Sequence, residues 1–310
     1  MGTPEFAVAS LDALVKHKFD VCAVVTAADK PAGRGRKIRT SAVKDYAIAH
    51  HIPVLQPTNL QEDSFVEELQ RYNANLFIIV AFRMLPEKVW SLPALGTFNL
   101  HASLLPQYRG AAPINHTIMN GESIGGVTSF FLKHEIDTGS IILREETPIA
   151  DDETAGEYHD RLKVLGAGLL IKTVEAIRQG DVSTIPQQQL MKDGEILKRA
   201  PKIHKEDCRI DWNKRSKEVY DQIRGLSPYP GAFCEIELKN NKVLFLKIYR
   251  TVIIDCDCHD EPGTIKTDFK SYFKICCKDG CISILELQQA GKKRLQIKQF
   301  LTGLTPNSLA

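Results

Sequence analysis

The rhythm of apolar positions changes once along the chain. In the first part, positions 7/8, 11 and 14/15 fall at helical spacing behind Thr3-Pro4, which predicts a helix with Thr3 as its cap and Pro4 at its first position. A short strand is predicted at 21–25, a helix at 41–50, a strand at 52–55 and a helix at 62–72. Residues 76–80, Leu-Phe-Ile-Ile-Val, form an unbroken β-branched and aromatic run, as expected of a strand buried on both faces. Strands at 97–100 and 128–132 follow, then a long helix from about 154 to 179 that Gly180 ends. Such alternation predicts a doubly wound, Rossmann-like α/β sheet. Sheets of that kind bind ligands outside the carboxyl ends of their strands, so the loops after residues 80, 100 and 132 are where chemistry is expected.

Beyond the long helix the pattern shortens. One helix is predicted at 217–224, and strand-like runs at 233–238, 243–248, 265–266, 273–276 and 282–287 are separated by Asn240-Asn241, Pro262-Gly263 and Asp279-Gly280. About five short strands with such turns suggest a small barrel of the oligonucleotide-binding (OB-like) kind. The expected organisation is a domain over 1–189, a linker over 190–205 that extends the polar run from Pro186-Gln187-Gln188-Gln189, and a second domain over 206–310.

Length agrees: 310 residues is about two ordinary domains. With 43% hydrophobic and 25% charged residues the chain is globular, not disordered or fibrous. No apolar run approaches the roughly 18–20 residues of a bilayer span, and the first residues lack the basic and apolar regions of a signal peptide, so a cytoplasmic location without a membrane partner is expected, with a monomer as the working state. The net charge of +2 hides an asymmetry: residues 1–189 carry 18 Lys and Arg against 22 Asp and Glu, whereas residues 190–310 carry 22 against 16. A basic second half faces a polyanion more readily than a neutral one. Within the acidic half, residues 30–44 hold Lys30, Arg34, Arg36, Lys37, Arg39 and Lys44 with no acid, a cationic loop whose alternatives are phosphate contact and plain solvation. Seven of the eight cysteines lie beyond residue 200; their spacing lacks the paired turns of a structural zinc site, so buried thiols and no metal are expected.

The densest chemistry lies between residues 96 and 114. Strand alternation puts Asn99 and His101 on one face at a strand's carboxyl end, and Asp137-Thr138-Gly139, in a turn after the 128–132 strand, can bring a carboxylate beside them. An amide, an imidazole and a carboxylate suit acyl transfer to a neutral amine: Asn99 and His101 stabilise the oxyanion, and Asp137 orients the ring and assists proton movement. The competing reading is structural, with Asn99 and Asp137 shaping turns and His101 near the core.

Several segments together carry a resemblance. Gly2-Thr3-Pro4-Glu5-Phe6-Ala7, Pro31-Ala32-Gly33-Arg34-Gly35, Asn99-x-His101-x-Ser103-Leu104-Leu105-Pro106, Arg109-Gly110-Ala111-Ala112-Pro113-Ile114, Asp137-Thr138-Gly139 and Ser227-Pro228-Tyr229-Pro230-Gly231-Ala232 resemble the methionyl-tRNA formyltransferases of the folate-dependent formyltransferase superfamily, over essentially the whole chain. The resemblance implies a Rossmann-like domain joined to an OB-like tRNA-binding domain, and formyl transfer from 10-formyltetrahydrofolate as co-substrate, with no metal, to the α-amine of initiator methionyl-tRNA. It implies catalysis by Asn99, His101 and Asp137, folate contact by Ser103, Leu104, Leu105 and Pro106, and tRNA contact by Arg34, with Arg36, Lys37 and Arg39 beside it. The active-site run is shared with sugar-nucleotide formyltransferases, the alternative; a nucleic-acid-binding module with an inactive transferase domain is the non-enzyme reading. The family carries an apolar strand before its Gly-Thr-Pro; here Met1 stands directly before Gly2, and a start assigned too late or a shortened chain is the expectation.

Overall fold

The protein is described by a computed structural model that covers residues 1–32, 37–192, 194–239, 242–255 and 260–304. In chain order the elements are α1 (Glu5–Lys16), β1 (Val24–Val25), β2 (Lys30–Ala32), β3 (Lys37–Arg39), α2 (Ala42–Ala49), β4 (Val54–Leu55), α3 (Asp63–Arg71), β5 (Phe77–Val80), α4 (Glu87–Trp90), β6 (Thr97–His101), β7 (Arg109–Gly110), α5 (Pro113–Met119), β8 (Ile124–Phe131), β9 (Ile141–Pro148), α6 (Ala155–Gln179) and β10 (Arg199–Ala200). They continue with α7 (Ser216–Leu226), β11 (Ala232–Glu237), β12 (Val243–Ile254), β13 (Ile265–Thr267), β14 (Phe273–Cys276), β15 (Cys281–Gln289), β16 (Arg294–Gln296) and α8 (Ile297–Leu301).

Two compact units share the chain. The first comprises Met1–Pro113, Ile124–Pro148 and His159–Arg199; the second comprises Ile114–Ser123, Ile149–Tyr158 and Ala200–Ala310. A division drawn at residues 189 and 206 differs from this in membership. Two internal segments join the second unit because their polar groups bond there: the Asn115 amide donates to the Gly225 carbonyl at 2.7 Å, and Gly156 N–H to the Ser227 carbonyl at 3.0 Å. The stretch expected as a linker belongs in its first half to the first unit. Tyr108 N–H donates to the Lys198 carbonyl and Lys198 N–H to the Gln107 side chain, both at 2.7 Å.

In the first unit β5 and β6 run parallel, whereas β6–β8 and β8–β9 are antiparallel, so the sheet is mixed. β9 escapes sequence reading because Arg144, Glu145 and Glu146 interrupt its alternation; it is an edge strand whose second half alternates between half-buried and exposed positions. β1 pairs with β4 in a separate parallel ladder. Met1 and Gly2 lie between the two ladders: Gly2 N–H donates to the Val25 carbonyl at 3.0 Å, the Met1 amine to the Ile78 carbonyl at 2.6 Å, and Val80 N–H to the Met1 carbonyl at 2.9 Å. A cavity of about 440 Å³ lined by Val24, Phe77, Ile78, Leu170 and Val174 adjoins them, and burial pulls the Met1 amine down to about 5. α1 starts one residue later than the cap pattern predicts, with Pro4 at the cap, and buries Phe6, Leu11 and Leu14, each large apolar side chain contributing about 1.5–3 kcal/mol. α6 approaches β6 closely: a Cβ on Gly166 would stand 3.0 Å from the Leu100 side chain, which would have to shift to admit it, on the strand that carries Asn99 and His101.

The second unit is an antiparallel sheet in the order β11-β12-β15-β14-β13, with β16 on β15. Register shifts around Arg250 bend the twelve-residue β12. Val219, Ile223 and Leu226 of α7 are fully buried in one core with Leu246, Ile248, Ile282 and Ile284 of the sheet. Under that helix Arg224 Nε donates to Asp221 at 2.7 Å and its guanidinium also reaches the Glu153 carbonyl at 3.1 Å. Cys208, Cys234, Cys276, Cys277 and Cys281 are buried, and burial pushes the Cys234 thiol up to about 12. Cys256, Cys258 and His259 lie outside the described residues. Arg294 begins β16; its guanidinium lies 4.1 Å from the Tyr249 ring centroid and bonds Glu286 at 2.7 Å.

Candidate functional site

β6 is the inner strand that carries the predicted pair. Flanked by β5 on one edge and β8 on the other, it pairs Asn99 with Ile79 and Phe130, and His101 with Thr128, so both residues are held in a ladder at the carboxyl end of the parallel strands. Phe98 and Leu100 point to the opposite face and are buried. Asn99 Oδ1 is buried and meets no hydrogen-bond donor among the described residues. A buried amide oxygen without a partner costs about 1–3 kcal/mol, and only a donor group such as an N–H would satisfy it.

His101 is 7% exposed, and its Nε2 lies 2.9 Å from the Tyr108 carbonyl. A carbonyl only accepts, so Nε2 carries the hydrogen and Nδ1 is the nitrogen left for chemistry. Nδ1 faces Asp137 Oδ2 at 4.0 Å, close enough for charge coupling and too long for a direct hydrogen bond. The same carboxylate oxygen accepts Gly110 N–H at 3.0 Å.

The loop between β8 and β9 brings Asp137 there. Its return depends on Gly139: a Cβ at that position would lie 1.6 Å from the Phe131 carbonyl oxygen, so only glycine lets the chain close back on the end of β8. Asp137 itself adopts a left-handed backbone, φ 55°, which Asp tolerates better than most residues.

Residues 103–106 form the wall beside this pair. Ser103 Oγ donates to the Gln107 carbonyl at 2.7 Å, Thr128 Oγ1 donates to the Ser103 carbonyl at 2.7 Å, and Leu105 N–H donates to Thr128 Oγ1 at 3.2 Å. Leu105 is fully buried against Phe130 and Ile141, and Pro106 is buried. Leu104 alone of the four is half-exposed, packed over Gly126 of β8. Beyond the carboxyl ends of β4 and β5, Thr58, Asn59, Leu60, Arg83, Met84 and Leu85 line a cavity of about 340 Å³. Arg83 closes one side of it by donating to the carbonyls of Pro57 and Thr58.

Of the cationic segment, Arg34 and Arg36 lie outside the described residues; β2 and β3 form an antiparallel hairpin with Lys30 opposite Arg39 and Ala32 opposite Lys37, and Arg39 is exposed. Lys44 is not one of the loop's open charges: its ammonium bonds Asp29 at 2.5 Å and Gln56 at 2.7 Å at the foot of the hairpin. That ammonium, with Gln56, holds the Asp29 carboxyl below its usual range.

The roles of three residues beside this group were not legible in the sequence. Tyr108 offers His101 a backbone carbonyl, which any residue could supply. Arg109 and Gln187 hydrogen-bond each other behind Asp137, at 3.0 Å from Nε and 2.6 Å from Nη2. Burial lowers the Arg109 guanidinium from its ordinary value, while Asp137 and Glu135 oppose that shift. The arrangement offers an unpaired amide, one basic imidazole nitrogen and a facing carboxylate around a single strand end, which is equipment for acyl transfer to nitrogen.

Comparison with known proteins agrees with this chemistry. The formyl transferase profile matches residues 1–174, and the profile of the formyl transferase C-terminal domain matches residues 202–305. The methionyl-tRNA formyltransferase of Bacteroides fragilis is 51% identical over 303 residues, covering 98% of this chain and 93% of its own. That of Flavobacterium johnsoniae is 52% identical over 305 residues, covering 98% and 95%. Among solved structures, the sugar 3N-formyl transferase WlaRD, in the presence of dTDP and 5-N-formyl-THF, superposes with a TM-score of 0.62 at 22% identity over 94% of this chain and 97% of its own. The Helicobacter canadensis N-formyltransferase, in complex with folinic acid and dTDP-3-aminofucose, does so with a TM-score of 0.60 at 22% identity over 93% and 97%; both are likenesses of fold. A profile over more than half of the sequence and relatives identical at half of their positions place the chain in the formyl transferase family, with the methionyl-tRNA formyltransferases.

Proposed function

We propose that the protein transfers a formyl group from a folate carrier, 10-formyltetrahydrofolate, to the α-amine of methionyl-tRNA, giving the N-formylmethionyl initiator used in translation initiation. The observation that carries this reading is His101 Nδ1 facing Asp137 at 4.0 Å, on the strand end that also presents Asn99. The donor supplies an acyl carbon held on nitrogen. The amine nitrogen bonds to that carbon, the carbon–N10 bond breaks, and one amine proton is passed on to N10. Asn99 donates its amide hydrogens to the oxyanion of the tetrahedral intermediate. Because Nε2–H is committed to Tyr108, proton uptake by His101 occurs at Nδ1, and Asp137 supplies the counter-charge to the imidazolium.

The neighbourhood supports a folate position beside this group. Leu104 offers an apolar surface, while Ser103, Leu105 and Pro106 are turned inward, so their contact with a folate runs through backbone groups. Residues 82–86, next to the 340 Å³ cavity, present further backbone to a pterin. The cationic segment, through Arg34, Arg36, Lys37 and Arg39, and the basic C-terminal half contact tRNA phosphates, and the protein works in the cytoplasm.

Incubation with 10-formyltetrahydrofolate and charged initiator tRNA, with charged elongator methionine tRNA and an amino-sugar nucleotide as the other acceptors, tests the reading. Formyl-methionine on the initiator supports it, and transfer to the sugar nucleotide alone refutes it. Arg34→Ala is expected to weaken tRNA binding and reduce the slope of log K against log salt by about 1 while folate binding stays intact.

A further inference from the structure

The segment that follows α6 is polar and reads as a connector, yet it is built into the site. Ile185 and Ile141 exchange two backbone hydrogen bonds at 2.9 Å, which lays the segment against the start of β9. Pro186 then leads into one 3₁₀ turn, and its first residue, Gln187, is fully buried. A buried primary amide must satisfy two N–H donors and a carbonyl oxygen, and this one does. Nε2 donates to the carbonyls of Asp137 and Gly139, both at 2.8 Å. Oε1 accepts from Arg109 Nε and Nη2. The opposite amide orientation would set oxygen against two carbonyls and NH₂ against a guanidinium, so the chemistry fixes the assignment.

These four bonds join the two segments that hold Asp137, one through its backbone carbonyls and the other through the Arg109 side chain. One is the left-handed peptide from which its side chain leaves, and the other is the Arg109–Gly110 segment whose N–H its carboxylate accepts. Without the amide, the Asp137 and Gly139 carbonyls lose their shared donor. The loop is then free to swing the carboxylate away from His101 Nδ1. We infer that Gln187 is a positioning residue for formyl transfer, acting through Asp137 by fixing its carboxylate opposite His101. The inference rests on the proposed function, since it takes Asp137 as part of the transfer machinery.

The test compares Gln187→Met, Gln187→Glu and Asp137→Asn, alone and in combination, by single-turnover formylation of methionyl-tRNA. Gln187→Met removes both donors and the acceptor at nearly constant volume. It is expected to lower kcat about 10- to 100-fold, the loss associated with an ångström-scale misplacement, with KM for both substrates unchanged within about threefold. In the Asp137→Asn background the same change is expected to cost less than about threefold, because two residues acting through one group are not additive. Gln187→Glu keeps the acceptor for Arg109 and can regain one donor only when protonated, so its rate relative to wild type is expected to climb as the pH is lowered. With rates taken per folded molecule, a structural role alone would leave that ratio flat.

The inference is overturned if Gln187→Met retains kcat within twofold, if its fractional loss is the same in both backgrounds, or if the Gln187→Glu ratio does not change with pH. Should Gln187→Met fail to fold, the Gln187→Glu pH ratio decides by itself. A wild-type rate for Asp137→Asn would refute the underlying reading; loss there with none for Gln187→Met would refute the positioning role alone.

Discussion

Replacement of Asp137 by Asn isolates the charge at the centre of the site. Asparagine tolerates the left-handed backbone at φ 55°, and its amide oxygen can still accept Gly110 N–H, so the loop keeps its anchor while the carboxylate is neutralised. What is lost is the interaction with a His101 imidazolium at 4.0 Å, between side chains only 8% and 11% exposed. At an effective dielectric of about 20, two unit charges at that distance attract by about 4 kcal/mol. If that attraction develops only as the amine's proton is taken up, its loss lowers kcat by up to about 10³-fold. Single-turnover transfer at saturating formyl donor and methionyl-tRNA measures this, with near-unchanged KM and melting temperature as the accompanying expectation. A variant that folds normally and transfers within about fivefold of the wild-type rate would refute the charge-coupling argument.

Gly139→Ala is expected to push the 132–140 loop off β8, lowering stability by about 1–3 kcal/mol in urea titration and lowering the transfer rate in the surviving folded protein. Normal activity and an unchanged midpoint would mean the loop closes differently. Asp221→Ala strands the Arg224 guanidinium, 6% exposed, and is expected to cost about 3–5 kcal/mol by the same titration, whereas loss of an exposed pair such as Lys88–Asp63 is expected to cost far less because solvent screens it. For Asp29 the folded carboxyl titrates below its unfolded value because of Lys44 and Gln56. Its contribution is complete above the unfolded carboxylate range near 4 and disappears as the pH falls through the folded value. Urea midpoints followed downward from pH 6 should therefore drop less steeply for Asp29→Asn than for wild type, and parallel curves would contradict the assignment.

Helices announced themselves where caps and apolar spacing agreed. Ser41 accepts Lys44 N–H at the start of α2, and Gly180, at φ 73°, follows the last turn of α6. The buried run at 76–80 became β5, and the five strand-like runs beyond residue 230 became β11 to β15. Short or charged strands were missed, because a two-residue ladder or an edge with a polar face leaves no period to read. Asn99 and His101 were legible since strand alternation alone puts them on one face.

Sequence by itself determined the two α/β and β halves, the amide–imidazole pair on one strand and the cationic segment, since each is a matter of neighbours along the backbone. Tertiary structure decided the rest. It brought Asp137 to His101 across 36 positions, which depends on Gly139 clearing the Phe131 carbonyl. It turned Ser103 and Leu105 inward, tied Lys44 to Asp29, and set Gln187 behind the carboxylate 50 positions before it. Those contacts satisfy buried polar groups with partners distant in the chain, and a buried group's partner is chosen by how the elements pack, which no local pattern encodes.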